Sequence, residues 1–135
     1  MDKFYINPDI TQAETLPPRF YQSQEIFERL KEKIFLKTWQ WVGDSSNTVP
    51  LTETVYPFLM LPDYLNEPLL LVRDKNNEVK CISNVCTHRG NIVAANPGKS
   101  KGLVCMYHGR QFDLDGNFKH MPEFSQAKNF PRPCE

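Results

Sequence analysis

Histidine is scarce in this chain, with three residues among 135. Cysteine is nearly as scarce, at four. Such small numbers limit how many imidazole-ligated metal centres the chain can build. Net charge is lacking too. Lys plus Arg is 16 and Asp plus Glu is 16, and that balance argues against a polyanion-binding module and a nucleic-acid partner. Long apolar runs are missing. None approaches the roughly 18 residues of a membrane helix, and a run such as Leu69-Leu70-Leu71-Val72, which no other exceeds, has strand length. The N-terminus, Met1-Asp2-Lys3-Phe4-Tyr5, lacks the basic-then-apolar pattern of a signal peptide. The expectation is a cytoplasmic protein with no membrane partner. What is present is ordinary for a globular chain: 40% hydrophobic and 24% charged residues, enough to build one compact core.

Residues 1–22 are expected to form an arm, because Pro8, Pro17 and Pro18 break any regular helix or central strand. Residues 23–43 are expected to form a lead-in of one helix and a first strand. Ser23 can cap a helix running to Lys37, with Glu25 and Glu28 near its positive end and Lys33 and Lys37 at the other. Ile26, Phe27, Leu30 and Ile34 give it an apolar stripe suited to docking on a core. Trp39-Gln40-Trp41-Val42 alternates and stops at Gly43, which predicts a strand. Residues 44–53 read as loop. Thr54 to Leu61 reads as a strand that Pro57 confines to an edge, or as an irregular segment. Leu69 to Arg73 and Val79 to Ser83 predict a hairpin. Gln111 to Leu114 alternates into a second tight turn at Asp115-Gly116, and Phe118 resumes the apolar side. Cys81 falls in a predicted strand and reads as a small buried residue. His120 reads as structural or solvated, Cys134 as a free exposed thiol, and the Pro-rich tail as irregular. The predicted fold class is mainly β: a small antiparallel barrel or sandwich over 44–135, preceded by a helix.

Two short clusters hold the chemistry. Cys86-Thr87-His88 and Cys105-Met106-Tyr107-His108 each offer one thiolate and one imidazole, and each is followed closely by glycine, Gly90 and Gly109. A binuclear iron–sulfur centre takes two protein ligands per iron. If both Cys bind one iron and both His the other, each loop must reach both irons, and one or two intervening residues allow that. Neutral imidazoles leave such a cluster less negative, so it accepts an electron at roughly −150 to +300 mV against about −400 mV for the all-Cys plant type. The glycines let the backbone approach closely enough for N–H groups to face sulfur. Zinc also accepts two Cys and two His, although its common spacing pairs like with like. A Cys86–Cys105 disulfide or a Cys–His nucleophile are further alternatives.

These loops resemble those of Rieske proteins, and more narrowly the Rieske domain of ring-hydroxylating oxygenase α-subunits and their relatives acting on quaternary amines. Arg89-Gly90 after the first His and Phe112-Asp113-Leu114-Asp115-Gly116 after the second loop carry that likeness. So does the lead-in from Thr15-Leu16-Pro17 through Phe20-Tyr21 and Ile26-Phe27-Glu28 to Thr38-Trp39-Gln40-Trp41-Val42-Gly43. Cytochrome-complex Rieske proteins carry an additional Cys in each loop, where this chain has Asn91 and Tyr107. Met106 and Arg110 stand where the oxygenases often have Pro and Trp, and Arg110 is expected to alter the surface near the cluster or a partner contact, or to be a solvated or salt-bridged side chain.

The resemblance implies a 2Fe-2S cluster held by Cys86, His88, Cys105 and His108, supported by Arg89, Gly90, Tyr107 and Gly109. Tyr107 matches a residue whose hydroxyl donates to the cluster's sulfur environment. Complete α-subunits also hold a mononuclear non-heme Fe(II) on two His and a carboxylate. This chain has only His120 to spare, so the expectation is the N-terminal portion of a longer enzyme, carrying electrons without oxygenating anything itself. The implied partners are a reductase or ferredoxin as donor and the catalytic domain of the same or a neighbouring subunit of a homotrimer as acceptor. A stand-alone Rieske ferredoxin and a zinc-stabilised binding module are the alternatives.

Overall fold

The computed structural model describes residues 4–131. The chain forms two compact units, Met1–Trp41 and Val42–Glu135. Cys134 lies outside the described residues.

The first unit is helical. Pro18 starts α1 (Pro18–Gln22) where the sequence predicted a helix-breaking arm. A proline is preorganised for the first helical turn, where its missing N–H would have no partner anyway. The longer α2 (Gln24–Lys33) is capped by Ser23, whose Oγ accepts the Ile26 N–H at 3.4 Å. The predicted continuation to Lys37 fails at Ile34, after which the chain tightens into a 3₁₀ turn over Phe35–Lys37. No residue of α2 is buried, and Phe27 and Ile34 of the expected docking stripe are exposed. Trp39 to Val42 form no strand. The Gln40 side chain turns back to Phe35 and Thr38 instead, and both tryptophans stand almost wholly in solvent.

The second unit is mainly β. The predicted loop at 44–53 contains one helical turn, α3 (Ser45–Thr48), capped by the Asp44 carboxylate. Strands β1 (Thr54–Met60), β2 (Glu67–Arg73), β3 (Val79–Ser83) and β4 (Gly98–Lys99) form an antiparallel sheet in the order β3-β2-β1-β4. Pro57 sits beyond Thr54 and Val55, the two β1 residues that β4 pairs with, so it occupies a free stretch of that edge as expected. A second sheet takes β5 (Leu103–Val104), β6 (Gln111–Phe112) and β7 (Phe118–His120) in chain order. Among the described residues the sheets do not close into a barrel.

Both hairpin turns are built alike. Asp74 accepts the backbone N–H groups of Asn76 and Glu78, and Asp113 accepts those of Asp115 and Asn117. An aspartate that bonds its own turn in this way favours the bend directly. Lys80 of β3 pairs with Asp74 at 3.1 Å and also with Asp115, tying the first hairpin to the second.

The core lies between the sheets. Val55, Leu70 and Val72 of the larger sheet meet Leu103, Phe112 and Leu114, and Cys86 and Cys105 belong to the same buried cluster. Each such aliphatic side chain contributes about 1.5–3 kcal/mol by leaving water. Cys81, expected to be buried, is exposed. Its strand β3 is the edge of its sheet, and Val79, Cys81 and Ser83 share the outward face while Lys80 and Ile82 are half-buried. No helix among the described residues is long and apolar enough to cross a membrane.

Candidate metal centre

Each Cys/His cluster forms the tip of a short antiparallel arch. Val85 bridges Ile92 below the first, and Val104 pairs Gln111 below the second. Within the arches the hydrogen bonds repeat position by position. The Cys86 N–H donates to the Asn91 carbonyl and the Cys105 N–H to the Arg110 carbonyl, both at 2.8 Å. The Gly90 N–H donates to the Cys86 carbonyl at 3.0 Å, and the Gly109 N–H to the Cys105 carbonyl at 2.9 Å. Gly90 and Gly109 hold φ of +68° and +74°, a left-handed conformation that closes the arch and that a Cβ would strain. The two loops are therefore one local structure used twice. Only the histidine position differs, two residues after Cys86 and three after Cys105.

This repeat sorts the four side chains by type. Both cysteines are 2% exposed and belong to the same buried cluster. His88, half-buried, and His108, exposed, lie with ring centroids 4.7 Å apart, inclined at 69°. Among the described residues no three His, Cys, Asp or Glu side chains gather as they would around one metal ion.

Burial pushes the Cys86 thiol up, opposed by the His88 backbone N–H and the Arg110 charge. Burial acts the same way on Cys105, yet donors outweigh it and leave that thiol below its ordinary value. These are the backbone N–H groups of Tyr107 and His108, the Cys86 thiol and the Asn91 amide. The sequence reading expected glycine to bring N–H groups to sulfur. The backbone donors that face sulfur belong to the residues between Cys and Gly, while the glycine N–H groups themselves go to carbonyls.

Among the described residues, the Asn91 and Arg110 side chains reach across between the loops, and both occupy the position after the glycine. Asn91 Nδ2 donates to Cys105 Sγ at 3.6 Å, and Arg110 Nη1 donates to Thr87 Oγ1 at 2.5 Å. Arg110 corrects its expectation most sharply, since it is 2% exposed and not at the surface. Tyr107 is exposed, with its ring 3.8 Å from that of His108. Arg89 is exposed. His120 is exposed on β7, away from both loop tips in sequence. Asn84, which sequence reasoning passed over, is 3% exposed, and its amide makes two hydrogen bonds with the Ala94 backbone, at 2.8 and 2.9 Å. That pair closes the base of the first loop. No motif marks Asn84 in the sequence.

A family model for the Rieske [2Fe-2S] domain matches residues 38–131. The chain belongs to this family. The cofactor of a Rieske domain is a 2Fe-2S cluster. The carnitine monooxygenase oxygenase subunit of Escherichia coli is 35% identical over 130 residues, which is 96% of this chain and 33% of that protein. The biphenyl 2,3-dioxygenase subunit alpha of Rhodococcus jostii is 32% identical over 114 residues, 83% of this chain and 24% of that subunit. A solved quaternary ammonium Rieske monooxygenase in complex with L-carnitine matches with a TM-score of 0.76 at 29% identity, covering 87% of this chain and 32% of that one. This Rieske chain thus spans about a third of the first relative and about a quarter of the second.

Proposed function

We propose that Cys86 and Cys105 ligate one iron and His88 and His108 the other iron of a 2Fe-2S cluster, in an electron-carrying domain of a Rieske-type oxygenase. One observation carries the assignment. The twin loop tips present a buried pair of cysteines in one core cluster and, separately, an imidazole pair 4.7 Å apart. A two-iron centre needs donors sorted into pairs, whereas one zinc needs four around a single point at about 2.0–2.3 Å. When bound, the cluster supplies a one-electron couple whose potential imidazole ligation raises.

The chain's own residues define how that couple is held and reached. Cys86 and Cys105 sit in the core, which keeps water from the sulfur side. Backbone N–H groups of His88, Tyr107 and His108 favour the anionic sulfurs that ligation requires. Gly90 and Gly109 close the loops, and Tyr107 packs on His108. The exposed His108, beside His88, is the port for electrons. Arg89 lies exposed next to His88, at the rim of that port.

In the whole protein, the donor is a reductase or ferredoxin. The acceptor is a mononuclear non-heme Fe(II) in the catalytic domain of the same or a neighbouring subunit of a homotrimer. A solved quaternary ammonium Rieske monooxygenase, 29% identical to this chain, is described in terms of carnitine oxidation and inter-subunit electron transfer, which supports this arrangement. The carnitine relative covers more of the chain than the biphenyl relative, 96% against 83%, which favours a quaternary ammonium substrate.

The test is visible absorption and EPR of the purified protein, oxidised and then reduced with dithionite, with iron and sulfide analysis. About two irons and two sulfides per chain and a low average g-value on reduction are expected. His88→Ala and His108→Ala should each abolish that signal. An unchanged signal in both variants overturns the ligand assignment, and one zinc per chain without sulfide overturns the cluster.

A further inference from the structure

We infer that the gap between the two sheets, beside the first Cys/His loop, is a binding site for a small uncharged ring compound that carries one hydroxyl. The gap is a cavity of about 330 Å³, partly open to solvent. None of the four proposed cluster ligands lines it, so the inference stands apart from the ligand assignment. Its apolar walls come from Ile82 of β3, from Val85 and Val93 at the base of the first loop, and from Leu103 and Phe112 of the second sheet. Leu103 and Phe112 also belong to the core, so the cavity opens directly onto it. Protein interiors leave few voids larger than a water molecule. This one is about twice the roughly 150 Å³ that takes up benzene in an apolar cavity. It has room for one ring and a short chain.

Two sides of the gap are braced. On one, the Asp113 turn is fixed by its own backbone bonds, and Asp115 of that turn binds Lys80 of β3. Gly116 stands at the same rim, where a Cβ would meet Ile82 Cδ1 at 3.7 Å. On the other, the Val93 N–H donates to the Asn84 carbonyl at 3.0 Å, and the Asn84 side chain holds Ala94. A site braced in this way is formed before its ligand arrives, which keeps the ordering cost of binding low. The polar groups select the ligand. Asp115 lines the cavity, but Lys80 offsets its charge, so neither a cation nor an anion gains there. Ser83 lies on the outward face of β3. Thr87 is left. Its Oγ1 accepts from Arg110 Nη1, and among the described residues its own O–H proton has no acceptor. A ligand hydroxyl placed against Thr87 accepts that proton, while the ring lies on the apolar walls. Such an occupant touches the residue between Cys86 and His88.

The experiment is isothermal titration calorimetry of the purified full chain with 4-ethylphenol and with ethylbenzene, which lacks the hydroxyl. 4-Ethylphenol should bind saturably, about one per chain, with a Kd of about 0.1–1 mM. Thr87→Val removes the threonine hydroxyl and keeps the shape. It should weaken 4-ethylphenol about threefold to tenfold and leave ethylbenzene within about twofold. Val93→Phe and Val85→Phe each fill the gap and should abolish binding of both probes, with the circular dichroism of the wild type. Absence of saturable 4-ethylphenol binding to the wild-type chain overturns the inference, as does unchanged affinity in a folded filling variant. So does an equal loss of both probes in Thr87→Val, because the hydroxyl would then select nothing. Tighter binding of the dipeptide phenylalanylglycine than of 4-ethylphenol would make the gap a peptide groove and overturns it too. Should both filling variants fail to fold, the comparison of the two probes in Thr87→Val decides.

Discussion

The Asn91 amide in the first loop donates to the Cys105 sulfur of the second across 3.6 Å. Arg110 answers from the equivalent place in the second loop by reaching Thr87 of the first. Two loops that are alike in backbone are thereby locked by unlike side chains. Hydrogen bonds to ligating sulfur raise a cluster's potential because they favour the more negative state. Asn91→Ala removes one such donor to the proposed ligand Cys105. With a net contribution of about 0.5–1.5 kcal/mol, the reduction equilibrium should shift about twofold to tenfold toward the oxidised form, as read by redox titration with EPR detection.

The twin glycines should differ in their tolerance. Both hold left-handed backbone, so alanine at either position carries about 1–2 kcal/mol of strain. A Cβ at Gly90 would meet nothing within 4 Å, whereas one at Gly109 would meet Pro122 Cγ at 3.1 Å. Gly109→Ala should therefore lower the melting temperature more than Gly90→Ala, measured by circular dichroism on both variants in parallel.

Asn84 fastens the base of the first loop. Asn84→Ala leaves the Ala94 N–H and carbonyl without their partners in a site where Asn84 itself is buried. The expected loss is about 1–3 kcal/mol, seen as a lower denaturation midpoint in urea, together with faster cluster release.

Acid should loosen both hairpins over one window. The Glu78 backbone N–H, assisted by Lys80 and the Asn76 N–H, holds the Asp74 carboxyl below its ordinary 3.8. Burial opposes the same shift at Asp113, but the Asn117 and Asp115 N–H groups and Lys119 prevail. Carboxylates depressed in the fold contribute stability that is complete above the unfolded value near pH 4, and lose it as pH falls through the folded values. Thermal stability should hold from pH 7 to about 4.5 and drop below about 4. Asp74→Asn with Asp113→Asn should be less stable at pH 7 and fall less steeply in acid. An identical acid profile in the double variant would rule out these two groups as the cause.

What could be read from the sequence is what neighbours along the chain decide. Asp74 to Glu78 and Asp113 to Asn117 bend by bonding their own backbone, Ser23 caps the helix that follows it, and each Cys/His pair shares one short loop. Those features depend on residues within about five positions, so spacing reveals them. Cys81 was misread because strand alternation says that one face is covered but not which one, and β3 turned out to be an edge. Trp39 and Trp41 alternate as a strand should, yet no partner strand pairs with them among the described residues. The burial of Arg110 and the reach of Asn91 depend on two loops about 19 positions apart meeting tip to tip. The sequence by itself determined which donors this Rieske domain offers. Tertiary structure alone decided which of them lie in the core and which meet water, and which neutral or charged side chain faces them, because burial is a property of what packs above a residue and not of what precedes it.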